Sequence, residues 1–330
     1  MARLPQTSAA RAVVVLALGL GLAALLNAEG LRKQAQIQPQ GFERRLALAV
    51  TKPLVSVSRT LHLTTPRHEL QVAIGREHED AIDSQVHLGL PPPAGPVPAP
   101  RTHQPKPVRH VVKPRITAAH PLRVWVAGDS LAQVPGEGVE RISGLPLDVL
   151  PLESRLSTGL ARPDLYNWFT RFRQVITQLH PQVAVLSFGA DDAHDYLAGV
   201  PAGRTVGPLG SSSWSAEYRR RVDGVTRELD AAGVYVIWLG LPIPDGAGFK
   251  KSFPIVNAVL EQVARAHPRG AAYVDTWHLL DDAHGRYTPY LRVHGHLTLM
   301  RLPDGVHYTS AAGDLIAQAV LAKVRDVYVL

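Results

Sequence analysis

Three short, nearly continuous apolar runs in the second half of the chain limit what it can fold into: Val124-Trp125-Val126-Ala127, Val183-Ala184-Val185-Leu186-Ser187-Phe188 and residues 234–239. Runs apolar at successive positions are strands buried on both faces, as parallel sheets between two helix layers require. Between them the spacing changes. Leu165, Trp168, Phe169, Phe172, Val175, Ile176 and Leu179 recur three and four apart and mark one apolar helix face. Strands are expected over 123–127, 147–152, 183–188, 234–239 and 272–274. A charged surface helix is expected over 218–232, and further helices over 255–266 and 309–327. Repeated βα units predict an α/β fold for residues 121–330. Its architecture is a flavodoxin-like three-layer sandwich whose five-stranded parallel sheet has the order 2-1-3-4-5.

The upstream third has another character. The chain of 330 residues carries a formal net charge of +7, and Arg, Lys and His crowd its beginning. That favours an anionic surface as partner; no basic motif interleaved with aromatics points to nucleic acid. There is no cysteine, so disulfides, thiolate catalysis and thiolate metal sites are excluded. Arg3 and Arg11 precede an apolar run, residues 12–26. At 1.5 Å per residue the run reaches about 22 Å, against roughly 30 Å of hydrocarbon, and Ala9, Ala10, Asn27 and Ala28 extend it. Residues 1–28 read as an uncleaved signal anchor. A cleaved signal peptide is the alternative, although Leu26-Asn27-Ala28 is a poor cleavage site. Arg32, Lys33, Arg44 and Arg45 follow the span; the orientation adopted keeps the short N-terminus inside and the globular domain on the periplasmic or extracytoplasmic side. Residues 29–88 read as a juxtamembrane stalk with a helix or two, and 89–120 as a Pro-rich basic linker. Within that linker Leu90 to Pro100 is an extended spacer, followed by Arg101, Lys106, Arg109, Lys113 and Arg115. The basic residues serve either as a solvated tether or as loose contacts to anionic envelope polymer or lipid. His103, His110 and His120 lack metal-ligand spacing.

The chemistry concentrates at three expected strand ends. The first strand runs into Gly128-Asp129-Ser130, where both polar residues suit a helix N-cap and Ser130 also suits a nucleophile. The third strand runs into Gly189-Ala190-Asp191-Asp192. Before the last helix stands Arg301-Leu302-Pro303-Asp304-Gly305-Val306-His307-Tyr308-Thr309. In a tight turn, Asp304 can reach Nδ1 of His307 and leave Nε2 free to take a proton from a serine. Thr309 is a candidate N-cap, and the adjacent helix dipole favours a neutral imidazole at His307. A lone Asp-x-x-His is usually a surface turn; its convergence with Ser130 and the Gly-Ala-Asp-Asp turn favours catalysis.

Those residues resemble the SGNH hydrolases, the GDSL-like lipase/esterase superfamily, over about residues 122–326. Gly128-Asp129-Ser130 matches the nucleophile block, and Asp304 with His307 matches the final Asp-x-x-His block. Gly159, within Ser157-Thr158-Gly159-Leu160-Ala161-Arg162-Pro163-Asp164, suits the block whose glycine amide holds the oxyanion. The runs around Gly159 and His307 look closest to an exported, membrane-anchored bacterial subgroup. The resemblance implies a Ser130-His307-Asp304 triad with an oxyanion site formed by Ser130, Gly159 and the third-block residue, and it needs no metal or cofactor. One position departs. The third block usually supplies an Asn amide, whereas here Asp191 stands. Either Asp191 is protonated and donates, or the two backbone amides act alone. The implied substrates are acyl esters, O-acetyl groups of cell-envelope glycans or small esters. An envelope O-acyltransferase and a catalytically impaired binding scaffold are the alternatives. Arg155 and Arg162, flanking the Gly159 turn, are candidates for binding an anionic sugar, set against an ordinary structural role.

Overall fold

The computed structural model describes residues 9–38, 42–73, 83–86, 88, 113–142, 144–201 and 203–330. The expected proline-rich spacer, together with Arg3, Arg101, Lys106 and Arg109, lies outside the described residues. The chain divides into two compact units, Met1–Asp83 and Ser84–Leu330.

Among its described residues the first unit contains four helices: α1 (Ala9–Leu26), α2 (Ala28–Ile37), α3 (Phe42–Thr60) and α4 (Thr65–Ala73). Among the described residues, the segment read as a stalk carries three helices, α2, α3 and α4, where one or two were expected. They bury little apolar surface, essentially Ala28, Ala35 and Val55. Polar contacts supplement it: the Ser58 hydroxyl donates to the Leu25 carbonyl at 2.7 Å, and Arg59 pairs with Glu29 at 2.7 Å. Val13, Val14, Leu16 and Leu20 of α1 face outward. Among the described residues no single helix is long and apolar enough to cross a membrane; Arg11–Leu26 and Ala28–Ile37 meet that length and composition only as a pair bent by 74°.

The second unit is built on a parallel sheet. Its elements are β1 (Leu122–Gly128), a 3₁₀ turn (Ser130–Ala132), α5 (Gln133–Arg141), β2 (Leu147–Val149), β3 (Glu153–Ser154) and α6 (Trp168–Gln178). Then follow β4 (Val183–Ser187), α7 (Ser212–Ala231), β5 (Tyr235–Leu239), α8 (Ala247–Ala266), β6 (Ala271–Val274) and α9 (Thr276–Leu279). A hairpin of β7 (Tyr290–Val293) and β8 (His296–Leu299) precedes α10 (Ser310–Val327). The order is β2-β1-β4-β5-β6, with β3 also pairing β1, which is the expected 2-1-3-4-5 topology. The chain leaves β1 in one direction for β2 and in the other for β4. Right-handed crossovers therefore put α5 on one face and α6, α7 and α8 on the other. Accordingly α5 packs against α10, and α7 against both α6 and α8. All residues of β4 and β5 are buried, as strands between two helix layers must be.

Local chemistry explains where elements depart from the apolar pattern. The expected second strand is split because Pro151 cannot donate to the ladder. Helix α6 starts at Trp168, not Leu165, because Asn167 caps it by accepting the Thr170 amide at 3.1 Å. The charged helix begins earlier than expected, where Ser211 accepts the Trp214 amide at 3.2 Å. It is also less superficial: Trp214, Tyr218, Arg221, Val222, Val225 and Leu229 are buried. Aromatic rings form the centre of the core, with Trp125 edge-on to Phe172 at 6.0 Å and Trp168 edge-on to Phe188 at 4.9 Å. Burying side chains of this size stabilises by about 1.5–3 kcal/mol each.

The parallel register between β1 and β4 runs from Val124↔Val183 to Gly128↔Ser187, so both strands end level. Gly128 (φ +154°) makes this possible, since a Cβ there would lie 1.8 Å from the Ser187 carbonyl oxygen. Gly128→Ala is therefore expected to part the strand ends and destabilise the unit by about 3 kcal/mol, roughly 6–12 °C in thermal denaturation. An unchanged melting temperature would show that the two backbones tolerate separation.

Candidate active site

At the end of β1 the two polar residues divide the roles that sequence left open. Asp129 is the cap: it is fully buried, and its Oδ1 accepts the Leu131 amide at 2.9 Å at the start of the 3₁₀ turn. Its Oδ2 crosses to β4 and accepts the amides of Gly189 and Ala190, each at 3.1 Å. Burial, joined by Asp191 and Asp192, pushes the Asp129 carboxyl well above the usual range, against the Leu131 and Ala190 amides. Ser130 does not cap with its side chain. Its hydroxyl donates instead to Nε2 of His307 at 2.8 Å.

The turn before α10 delivers that histidine. Arg301 is buried, and its Nη2 donates to the carbonyls of Ile243 and Gly305 at 3.2 and 3.0 Å. The Leu302 amide donates to the His307 carbonyl at 2.9 Å, and Gly305 takes φ +72° to close the loop. Inside it, Asp304 Oδ1 accepts the Val306 and His307 amides at 2.8 and 2.9 Å. Its Oδ2 lies 2.8 Å from His307 Nδ1. Partial burial acts to raise the Asp304 carboxyl, but those two amides and the His307 ring outweigh it and hold the group below the usual range. An ionised Asp304 can only accept, so it fixes the proton on Nδ1, and Nε2 faces Ser130 as the acceptor. Thr309 occupies the N-cap position of α10 without a side-chain cap; its hydroxyl donates to the Leu299 carbonyl at 2.6 Å.

Ser130, His307 and Asp304 are thus joined by two consecutive hydrogen bonds across 177 residues of sequence. Asp191 lies within electrostatic reach of His307, and its carboxylate accepts the Ser157 amide. Ser157 holds φ +57°, a left-handed conformation unusual for a non-glycine residue. Burial raises the Asp191 carboxyl, opposed by His194, the Ser157 amide and His307. Gly159 follows two residues after Ser157 and lies against Asp192. The two candidate arginines are paired locally: Arg155 Nε with Glu153 at 3.0 Å, and Arg162 with both oxygens of Asp164 at 2.9 Å. Among the described residues no group of three or more His, Asp or Glu side chains is arranged to hold a metal ion.

Sequence reasoning missed Arg301, Tyr218 and Arg221. The first ties the Gly305 carbonyl of the histidine turn to that of Ile243; Tyr218 bonds Asp192, and Arg221 the Leu160 and Ala161 carbonyls beside Gly159. The lone cation inside the otherwise apolar stretch Leu299-Met300-Arg301-Leu302 is the one available signal for Arg301. Tyr218 and Arg221 fall in the helix expected to be a charged surface helix, yet both are buried.

Residues 123–323 match a family model described as "Protein of unknown function (DUF459)". No curated protein matches the chain significantly. Similar solved structures include an acetyl xylan esterase from Geobacillus stearothermophilus, 14% identical with a TM-score of 0.44 over 66% of this chain and 99% of that one. A GDSL-like lipase from Bacteroides thetaiotaomicron VPI-5482 is 14% identical, with a TM-score of 0.42 over 62% of this chain and 88% of that one. A lipase/acylhydrolase from Enterococcus faecalis shows 14% identity and a TM-score of 0.42 over 62% and 96%. Likeness this distant carries no residue role from those proteins to this chain.

Proposed function

The chain belongs to the DUF459 family, an SGNH-like family, and we propose that it is a serine ester hydrolase acting on O-acyl, chiefly O-acetyl, groups of cell-envelope glycans. The observation that carries this reading is the chain of hydrogen bonds from Ser130 through His307 to Asp304. Ser130 Oγ attacks the ester carbonyl while His307 Nε2 takes its proton, and Asp304 stabilises the imidazolium and fixes its tautomer. The amides of Ser130 and Gly159 receive the oxyanion. As the tetrahedral adduct collapses, His307 returns the proton to the leaving alcohol. Water, deprotonated by His307, then cleaves the acyl-enzyme and regenerates Ser130. A sugar hydroxyl in place of that water would make the same site an O-acyltransferase. A weakened, scaffold-like site is the second reading, and Asp191 favours it, since an ionised carboxylate would repel the oxyanion.

The outward-facing apolar side chains of α1, which reaches span length only together with α2, support an anchor in the inner membrane, and we place the enzyme on its outer side. A fusion of alkaline phosphatase after residue 120 should be active and membrane-bound, and should lose activity without residues 1–28. A soluble active fusion would mean that the leader is cleaved.

The full chain should hydrolyse p-nitrophenyl acetate and be labelled at Ser130 by a fluorophosphonate. Ser130→Ala and His307→Ala should each remove nearly all turnover, on the order of 10³-fold or more, and Asp304→Asn should impair it strongly. Equal rates for wild type and Ser130→Ala would falsify the assignment.

Asp191 tests the oxyanion site. Its carboxyl is raised by burial, so the neutral, donating form persists above the usual carboxylate range. Activity that relies on that donor should fall as pH rises through the elevated pKa. Asp191→Asn carries a permanent donor and should lose this alkaline limb. If Asp191 is instead ionised throughout, the Asn variant should gain about 10-fold or more in kcat at neutral pH. An unchanged rate and pH profile would place Asp191 outside the reacting centre.

A further inference from the structure

We propose that Asp192 and Arg221 are positioning residues that clamp the backbone next to Gly159 and thereby aim its amide at the reacting carbonyl. This deepens the serine-hydrolase reading and rests on it. Asp192 is fully buried one residue beyond Asp191. Its Oδ1 accepts the Ala161 amide at 2.7 Å, and the Leu160 amide also bonds the carboxylate. Its Oδ2 accepts the Tyr218 hydroxyl at 2.6 Å. From the other side comes Arg221, also fully buried. Its Nη1 donates to the carbonyls of Leu160 and Ala161 at 2.8 and 3.3 Å, and its Nη2 to that of Ala198 at 2.7 Å. The Ala198 amide in turn donates to the Ala161 carbonyl at 2.9 Å. Glu217 Oε1 holds the Arg221 Nε at 2.9 Å and also accepts Arg220.

Both residues after Gly159 therefore have amide and carbonyl fixed by buried charge, and neither has freedom to turn. None of these groups takes Gly159's own amide. The glycine itself follows from the clamp: a Cβ at Gly159 would lie 2.0 Å from Asp192 Oδ1. Stability alone does not explain the arrangement, because a buried ion pair replaced by apolar residues of similar volume is often neutral or stabilising. Buried charge aimed at four groups of one loop gives that loop a single position. An oxyanion donor needs such placement, since a displacement of about 1 Å can cost about 100-fold in rate.

The test uses the full chain and replaces the pair by apolar residues, Glu217→Leu with Arg221→Met, alongside Tyr218→Phe and Arg221→Lys. The double variant leaves the Leu160 and Ala198 carbonyls without their donor and should melt several degrees lower, yet while folded at the assay temperature it should lose about 10- to 100-fold in kcat on p-nitrophenyl acetate with KM little changed. Arg221→Lys, which keeps a cation able to reach a carbonyl, should recover part of that loss. Tyr218→Phe, which removes one donor to Asp192 at nearly constant volume, should lower kcat more mildly. A folded double variant with wild-type kcat overturns the clamp, as does a loss confined to KM. Should the double variant fail to fold, Tyr218→Phe and Arg221→Lys decide: wild-type kcat in both overturns it, and reduced kcat with intact melting supports it. Failure of the underlying reading is recognised separately, by a wild-type chain that neither turns over ester nor takes the fluorophosphonate at Ser130, and the clamp falls with it.

Discussion

The carboxylate of Asp129 is the fastening on which the site depends. It lies between two strand ends brought level by the β1–β4 register and accepts amides from both. Without it, the buried amides of Leu131 and Gly189 would lose their partner at about 1–3 kcal/mol each, and the half-buried amide of Ala190 would lose its own. With it, the turn bearing Ser130 and the turn bearing Asp191 are parts of one rigid edge. The Ser154 hydroxyl adds a third strand by donating to the Asp129 carbonyl at 2.9 Å, and the Arg155 amide donates to the Gly128 carbonyl at 2.9 Å. Strands β1, β3 and β4 thus present their ends together, in the place where open α/β sheets bind ligands.

Three aspartates share this edge, and their surroundings separate their tasks. Asp129 and Asp192 are sealed from water and spend their oxygens on backbone amides or, for Asp192, on Tyr218 as well. Asp191, only partly enclosed, spends a bond on Ser157 and still faces the field of His194 and His307. Burial raises all three carboxyls. Their mutual repulsion compounds the effect at Asp129, where Asp191 is the largest contributor after burial.

The sheet order and the three residues joined at its edge were legible because each leaves a local trace. Two-sided burial gives continuous apolar strands, and an Asp three residues before a His gives a closed turn. The trace is not sufficient. Asp275 and His278 have the same spacing and make the same ring contact, Nδ1 to Oδ2 at 2.6 Å, but His278 stands exposed at α9. What distinguishes His307 is Ser130, far away in sequence and close only through the fold. The helix start at Ser212 was missed because a serine-rich first turn carries no apolar period, and that at Ala247 because Pro254 interrupts the helix just before Ile255, where the expected helix began. The β7–β8 hairpin was missed because its alternation is short and much of it is exposed. Arg221 was misread because a buried cation looks like a surface cation until its partners, three of them backbone carbonyls, are known.

The two arginines beside the Gly159 loop differ in how fully their carboxylate partners claim them. Arg162 keeps 14% of its side chain exposed and gives Nε and Nη2 to Asp164 as a fork, so an incoming carboxylate would have to displace a matched partner. Arg155 differs. Its bond to Glu153 uses Nε, its guanidinium lies 4.1 Å from the Tyr166 ring centre, and 48% of its side chain remains exposed. Glu153 also binds Arg171 and the Tyr166 hydroxyl, so its charge is already shared among three partners. A guanidinium stacked on a ring and weakly claimed by its carboxylate is oriented without being consumed. Because its own amide bonds the end of β1, it is also fixed relative to Ser130. Of the two arginines beside the Gly159 loop, Arg155 therefore keeps the more exposed guanidinium, whereas Arg162 is part of the loop's own structure.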